Sequence, residues 1–367
     1  MIKASQLSSM ATTMNTKVKA TLKQLIKTAV KTAIKATAKR VGSEKQMKQF
    51  RLNSNSNQKG IGFIAALAGS GVLGVVVIIA ALSLHSGQIS KQQVNAEPSI
   101  EYGRQLIRET SATMGPNHED PSMRFSGTNL DCASCHLATG TKPGTLSLLL
   151  ADTKYPRFSG RDGVEGDLRD RINGCMTRSM NGMELARDSI EMVSMEMYLK
   201  GLARQYELMG DSKRAADEPP AFIEPNRMAS IEAGGEVFRE RCQLCHGENG
   251  EGLLQTTDIV DGYLFPPLWG PDSFNNGAGM TRILTAARFI KARMPLGQAD
   301  LSDDEAYDVA AYMNSHERPR KANLEADYPD INRKPVDSPY PPYGDNFPHQ
   351  QHLLGPFEPI REYYRNL

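Results

Sequence analysis

The sequence predicts a mainly α-helical protein, two small helical domains in tandem preceded by a basic N-terminal segment and one transmembrane helix. Three observations carry that expectation. Residues 61–84 run for 24 positions without a charged side chain, a short cysteine–histidine motif occurs twice, and each copy is followed at a similar distance by the same Glu-to-Tyr helix pattern.

From the start, residues 1–60 hold 13 Lys and Arg against a single acid, Glu44. Lys19, Lys23, Lys27, Lys31, Lys35 and Lys39 recur every four residues, while Val18, Leu22, Leu25, Ile26, Val30 and Ile34 fall on another face. This is the pattern of a basic amphipathic helix on anionic lipid, and it competes with a true start at Met47. The apolar run over 61–84, at about 1.5 Å per residue, exceeds the roughly 30 Å hydrocarbon layer. The positive-inside rule leaves the basic end in the cytoplasm. The expected location is the cell inner membrane, single-pass, with all that follows the span in the periplasm. A cleaved signal peptide is the competing reading, but its apolar region usually runs only about 7 to 15 residues.

Beyond residue 60 the chain has 30 basic and 41 acidic residues. That balance removes the electrostatic case for nucleic acid as a partner. Residues 85–97 read as a linker, 98–208 as the first domain, and 209–226, charged and proline-bearing, as a second linker. Residues 227–320 make the second domain and 321–367 an extended, proline-rich tail.

The repeated motif reads "CASCH" at Cys132, Cys135 and His136 and "CQLCH" at Cys242, Cys245 and His246. Two thiols for thioether bonds and an adjacent histidine for the iron are the signature of a c-type haem, so two covalently bound haem c groups are expected. A zinc cage closed by both cysteine pairs competes, yet such a cage has no need of a histidine after each pair. The two halves are built to nearly one length. Tyr198 lies 62 residues after His136 and Tyr312 lies 66 after His246, each seven residues beyond a glutamate, Glu191 or Glu305. Ser302 with Glu305 three residues later predicts a capping box at the start of the last domain helix.

Each haem needs a group on its other face. In "KARMPLG" the candidate is Met294, a neutral soft thioether that raises the reduction potential. Most of the 17 methionines are expected to pack; the place of Met294 just before the C-terminal helix singles it out. The first half offers Cys175, the one cysteine outside the motifs. A buried free thiol, an intermolecular disulfide and an iron ligand compete for it, and Met180 or Met183 competes as the ligand. A thiolate there would lower the potential, opposite to methionine, giving electrons a direction. Around Cys175 crowd Arg157, Arg161, Arg169, Arg171 and Arg178, with Ser179 and Asn181. Arg157 and Arg169 are expected to pair with Asp162, Glu165, Asp167 and Asp170; Arg161, Arg171 and Arg178 are expected to collect a small oxyanion. His349 and His352 read as surface or packing residues, and Trp269 as packing near the second haem.

The stretches "YPRFSGRDG…RINGCMTRSMNG", "FPPLWGPDSFNNGAGM", "FIKARMPLG" and "KPVDSPYPPYGDNFPHQQHLLGPFEPI" together resemble the thiosulfate dehydrogenase family of dihaem cytochromes c, over about residues 98–361. The resemblance implies a periplasmic enzyme that joins two thiosulfates into tetrathionate, a reaction some members run in reverse. It implies His136 and Cys175 on a catalytic haem, with Arg161, Arg171, Arg178 and Ser179 around the substrate. It further implies His246 and Met294 on a second haem that passes electrons to an acceptor cytochrome or membrane oxidase. Some members use a lysine near the methionine as an alternative ligand, whereas here Arg293 precedes Met294 and Lys291 lies three back. The alternative function is a membrane-anchored dihaem cytochrome that only carries electrons.

Overall fold

The computed structural model describes residues 97–208 and 221–367. The basic segment and the transmembrane helix expected over 61–84 lie outside these residues, and among the described residues no helix is long and apolar enough to cross a membrane. The fold class is corrected accordingly: it is mainly helical with two domains of the c-type cytochrome kind, and attachment to a membrane through an N-terminal helix has no support in the structure.

Helix α1 (Ile100–Arg108), the short α2 (Thr110–Met114), α3 (Leu168–Met176) and α4 (Ile190–Glu207) build the first domain. Helices α5 (Ile231–Arg241), α6 (Gln243–His246), α7 (Ile283–Arg293) and α8 (Asp303–Asn314) build the second. Sheet is confined to two antiparallel hairpins, Arg157–Ser159 with Val164–Gly166 and Leu253–Leu254 with Tyr263–Phe265.

Serine starts all four long framing helices. Ser99, Ser189, Ser230 and Ser302 each accept a hydrogen bond from the third amide beyond them, which satisfies an orphan donor and is worth about 1 kcal/mol per helix. The capping box of Ser302 and Glu305 is present as the spacing predicts.

In each domain the first and last helices cross at backbone contact. A Cβ on Gly103 of α1 would stand 1.9 Å from the Ser194 carbonyl oxygen of α4, and one on Gly234 of α5 would stand 2.0 Å from the Asp308 carbonyl of α8. The duplication extends to polar detail. Four residues before each glycine, the Ser99 amide donates to Ser194 Oγ (3.1 Å) and the Ser230 amide to Asp308 Oδ1 (2.8 Å). Leu106 and Ile107 on α1, and Phe238 on α5, are buried against the partner helices, with Met192, Met195, Tyr198 and Tyr307, Ala310, Ala311 in the same core.

The halves are tied to one another directly. Asn129 donates to Asp272 from its amide (2.9 Å) and its carboxamide (3.0 Å), and Asn275 donates to the Thr177 carbonyl (2.9 Å) and Asn181 Oδ1 (3.0 Å). The tail carries two short helices, α9 (His349–Leu354) and α10 (Glu358–Arg365), and buries Phe357 and Ile360. His352 is buried, its Nδ1 2.8 Å from the Val336 carbonyl and its Nε2 3.1 Å from Asp345.

Gly234→Ala forces the two framing helices of the second domain apart, and a loss of about 3 kcal/mol is expected, of the size overpacking produces. Thermal unfolding should show a midpoint lowered by roughly 6–12 °C; an unchanged midpoint would mean the crossing is looser than the structure has it.

Candidate active site

The attachment motifs are tight turns. In each, the histidine amide donates to the carbonyl of the first cysteine, His136 to Cys132 at 2.9 Å and His246 to Cys242 at 3.0 Å. The imidazoles are fixed the same way. His136 Nδ1 lies 2.7 Å from the Leu146 carbonyl, and His246 Nδ1 lies 2.8 Å from the Pro266 carbonyl. Because a carbonyl only accepts, Nδ1 carries the proton in both rings and the Nε2 lone pair is left for a metal. Burial lowers both imidazole pKa values against the opposing pull of these hydrogen bonds, so the rings are neutral, as ligands must be. Leu146 holds its carbonyl in place from left-handed backbone, φ 58, a conformation costing about 1 kcal/mol or more outside glycine.

None of the described cysteines forms a disulfide. Burial pushes the Cys132 thiol up to about 12 and the Cys135 and Cys242 thiols up to about 11, the opposite of what thiolates for zinc would need. Among the described residues no three metal-ligating side chains gather into one cage. Neutral sulfurs of this kind suit thioethers, and the residues present fit covalently attached haem.

Cys175 stands in the last turn of α3. Asp167 caps that helix and forms a reciprocal capping box with Asp170, which fixes where its turns fall. Arg171 and Cys175, four apart, therefore share one face. A Cβ on Gly174 would meet nothing within 4 Å, so the helix surface at the residue before the thiol is open. Cys175 is the foremost cause of the raised pKa of Arg171, whose other electrostatic neighbours include Tyr155, Arg161 and Asp162. The thiol is also an electrostatic neighbour of Cys132 and Cys135, which brings it to the first attachment motif. Arg171 is exposed and makes no hydrogen bond or ion pair with the described residues. Met180 is buried in the core and Met183 is 59% exposed; neither lies on the face that Arg171 and Cys175 share.

The remaining arginines divide by environment. Arg178 is buried in a bidentate pair with Asp327, at 2.8 and 2.7 Å, so its guanidinium is taken by a carboxylate of the tail. Arg161 rides the turn of the first hairpin, its Nε 3.4 Å from Tyr328 Oη and 3.9 Å from Asp327. Ser179 is half-buried, its hydroxyl making no hydrogen bond to the described residues. Arg169 pairs with Glu196 (2.6 Å), Arg157 lies over the Tyr155 ring (5.4 Å), and Arg187 takes Asp167 and Asp170, so two of the four acids expected to serve Arg157 and Arg169 are engaged elsewhere. Sequence reasoning missed Tyr155, Asp327 and Tyr328. The first had a visible signal in its motif, "YPRFSG"; the tail pair had none, since 149 residues separate Asp327 from Arg178.

At the second site Met294 ends α7, half-buried against the core. Arg293 beside it donates to the Pro143 carbonyl in the first domain. Lys291 donates to the Leu301 carbonyl (2.7 Å) and lies 3.8 Å from Asp303, so its amine is engaged away from the methionine. Trp269 stacks on His316 (3.9 Å between ring centres) and tilts against Phe238 (5.0 Å).

Two family models match the chain, the SoxA/TsdA cytochrome c domain over residues 125–208 and subunit III of cbb3-type cytochrome c oxidase over 229–313. Covalent haem c is what such domains carry. A protein of Stutzerimonas stutzeri named thiosulfate dehydrogenase is 41% identical over 205 residues, 54% of this chain and 64% of that protein. Another of that name from Allochromatium vinosum is 38% identical over 226 residues, 60% of this chain and 78% of that protein. A solved structure of the thiosulfate dehydrogenase TsdBA from Marichromatium purpuratum, as isolated, superposes with a TM-score of 0.53 at 34% identity, covering 63% of this chain and 50% of its own. The chain thus spans less than two thirds of the Stutzerimonas protein and half of the Marichromatium chain.

Asp327→Ala would leave Arg178 charged and uncompensated in the interior, at a cost of about 3–5 kcal/mol. Urea unfolding at neutral pH should read that loss, while Arg169→Ala, at a more open pair, should cost less than about 1 kcal/mol. Equal losses would remove the distinction drawn between the two arginines.

Proposed function

The chain belongs to the thiosulfate dehydrogenase family of c-type cytochromes, and from that premise we propose that it oxidises thiosulfate to tetrathionate on the outer side of the cytoplasmic membrane. Two thiosulfate dianions join through their outer sulfurs; one sulfur–sulfur bond forms, no proton moves, and two electrons leave. When bound, two haems supply acceptors for one electron each. His136 and Cys175 would hold the first and His246 and Met294 the second, from which electrons pass to an acceptor cytochrome.

The observation that carries this reading is the face of α3 on which Arg171 and Cys175 stand one turn apart, with Arg161 among the electrostatic neighbours of Arg171. A protein that only relayed electrons has no use for an unpartnered guanidinium beside that thiol. Two like-charged substrates repel, so bond formation needs positive charge already in place. Arg171 supplies it next to Cys175, and Arg161 supplies it from the hairpin turn. Arg178 acts at one remove. Paired with Asp327, it sets the loop that follows Cys175, where Asn275 also holds the Thr177 carbonyl. The Ser179 hydroxyl, without a hydrogen bond to the described residues, is left to meet a sulfonate oxygen.

Adding thiosulfate to the oxidised holoprotein should bleach the ferric and raise the ferrous haem bands. Failure there, together with failure of tetrathionate to oxidise the reduced protein, would assign the molecule to simple electron carriage. Cys175→Met should retain both haems, raise the potential of the first by on the order of 100 mV, and lower turnover by roughly 100-fold or more. Unchanged turnover would sink the role given to the thiol.

A further inference from the structure

The C-terminal tail lies against the hairpin that carries Arg161, and its contacts there are specific. Tyr328 holds left-handed backbone, φ 64, in which a tyrosine is strained. From that conformation its amide donates to the Arg161 carbonyl (2.7 Å), its hydroxyl accepts from Arg161 Nε (3.4 Å), and its ring lies 5.8 Å from the guanidinium carbon. Arg161 is thereby fixed at its backbone, at its Nε and across its plane. Among the described residues neither of its terminal nitrogens has a partner.

Charge around this contact is not balanced. The carboxylate paired with these cations, Asp327, is occupied by both terminal nitrogens of Arg178 and by the Tyr340 hydroxyl (2.7 Å). A further cation, Lys334, is buried under the rings of Tyr340 (4.5 Å), Tyr343 (5.4 Å) and Tyr328 (5.9 Å) and donates only to the Pro342 carbonyl (2.8 Å). Burial lowers the Lys334 pKa to about 8, which keeps it mostly charged at neutral pH. Arg161, Arg178 and Lys334 share Asp327, so positive charge exceeds negative at this contact, as capture of an anion requires.

We propose that tail residues 327–334 form the outer wall of the oxyanion site and that Tyr328 is a positioning residue, aiming the free end of Arg161 at the sulfonate group of the substrate. The proposal rests on the function given above only for the identity of that oxyanion. Tyr328 acts through Arg161 and touches no reacting atom. Removing its hydroxyl therefore weakens capture of the dianion and leaves the chemical step alone.

The test is a double-mutant cycle on the holoprotein with Tyr328→Phe, Arg161→Ala and both together. Its first readout is calorimetric binding of inorganic sulfate, an unreactive tetrahedral dianion. Tyr328→Phe keeps the ring and the backbone bond, so a loss of about 3- to 10-fold is expected, the size of one hydrogen bond. The double variant should bind no more weakly than Arg161→Ala. In turnover, KM for thiosulfate should rise by the same factor as sulfate binding falls, with kcat within about twofold. Wild-type sulfate affinity in Tyr328→Phe, additive losses in the double variant, or no sulfate binding by the parent protein at about 10 mM would each overturn the proposal. A parent protein whose haems ignore thiosulfate would sink the function, and the sulfate measurements would still judge the coupling of Tyr328 to Arg161.

Discussion

Two helices can touch backbone to backbone only where one of them lacks a side chain, and both domains are organised by that constraint. Gly103 against Ser194 and Gly234 against Asp308 bring the first and last helices of each half together, and the polar link four residues upstream repeats with the same geometry. With the frame so fixed, the segment between the helices has no freedom over where the attachment turn and its carbonyl partner lie. Leu146 and Pro266 come to the two histidines from different local structures, one a strained loop and the other the end of a hairpin, yet they leave the same nitrogen bare.

On this common frame the halves diverge where chemistry is needed. The second places a thioether at the end of α7 and surrounds Phe238 with Trp269 and Tyr312, an apolar setting. The first presents, from its hairpin turn and a capped helix, guanidinium groups and a thiol. Both the cost and the benefit are electrostatic. A cluster of cations is stable here because Asp327 pairs with the more deeply buried of the two arginines it touches, Arg178, and leaves the more accessible Arg161 open at its terminal nitrogens.

Legibility in the sequence followed range along the chain. The attachment motifs, the Ser302 cap, the equal lengths of the halves and the placement of Cys175 among arginines are written within a few residues of one another, where spacing alone carries meaning. The partner of Arg178 is not: Asp327 sits in a proline-rich tail whose composition reads as covering, and only folding brings it across. Arg161 and Arg178 were indistinguishable as letters; burial separates them, one closed in an ion pair and one open at its terminal nitrogens. The apolar run over 61–84 shows the reverse limit. Its composition suggested a membrane helix, but that stretch lies outside the described residues and no described helix has that character.

The bonds that join the halves have a kinetic meaning. Arg293, next to Met294, donates to the Pro143 carbonyl in the loop that leads to the Leu146 carbonyl, while Asn129 and Asn275 fasten two further points. The separation of the two attachment motifs is thus set by the architecture and need not be found by diffusion of one domain about another. Haems held at the two motifs would therefore keep one spacing in every molecule and through every encounter.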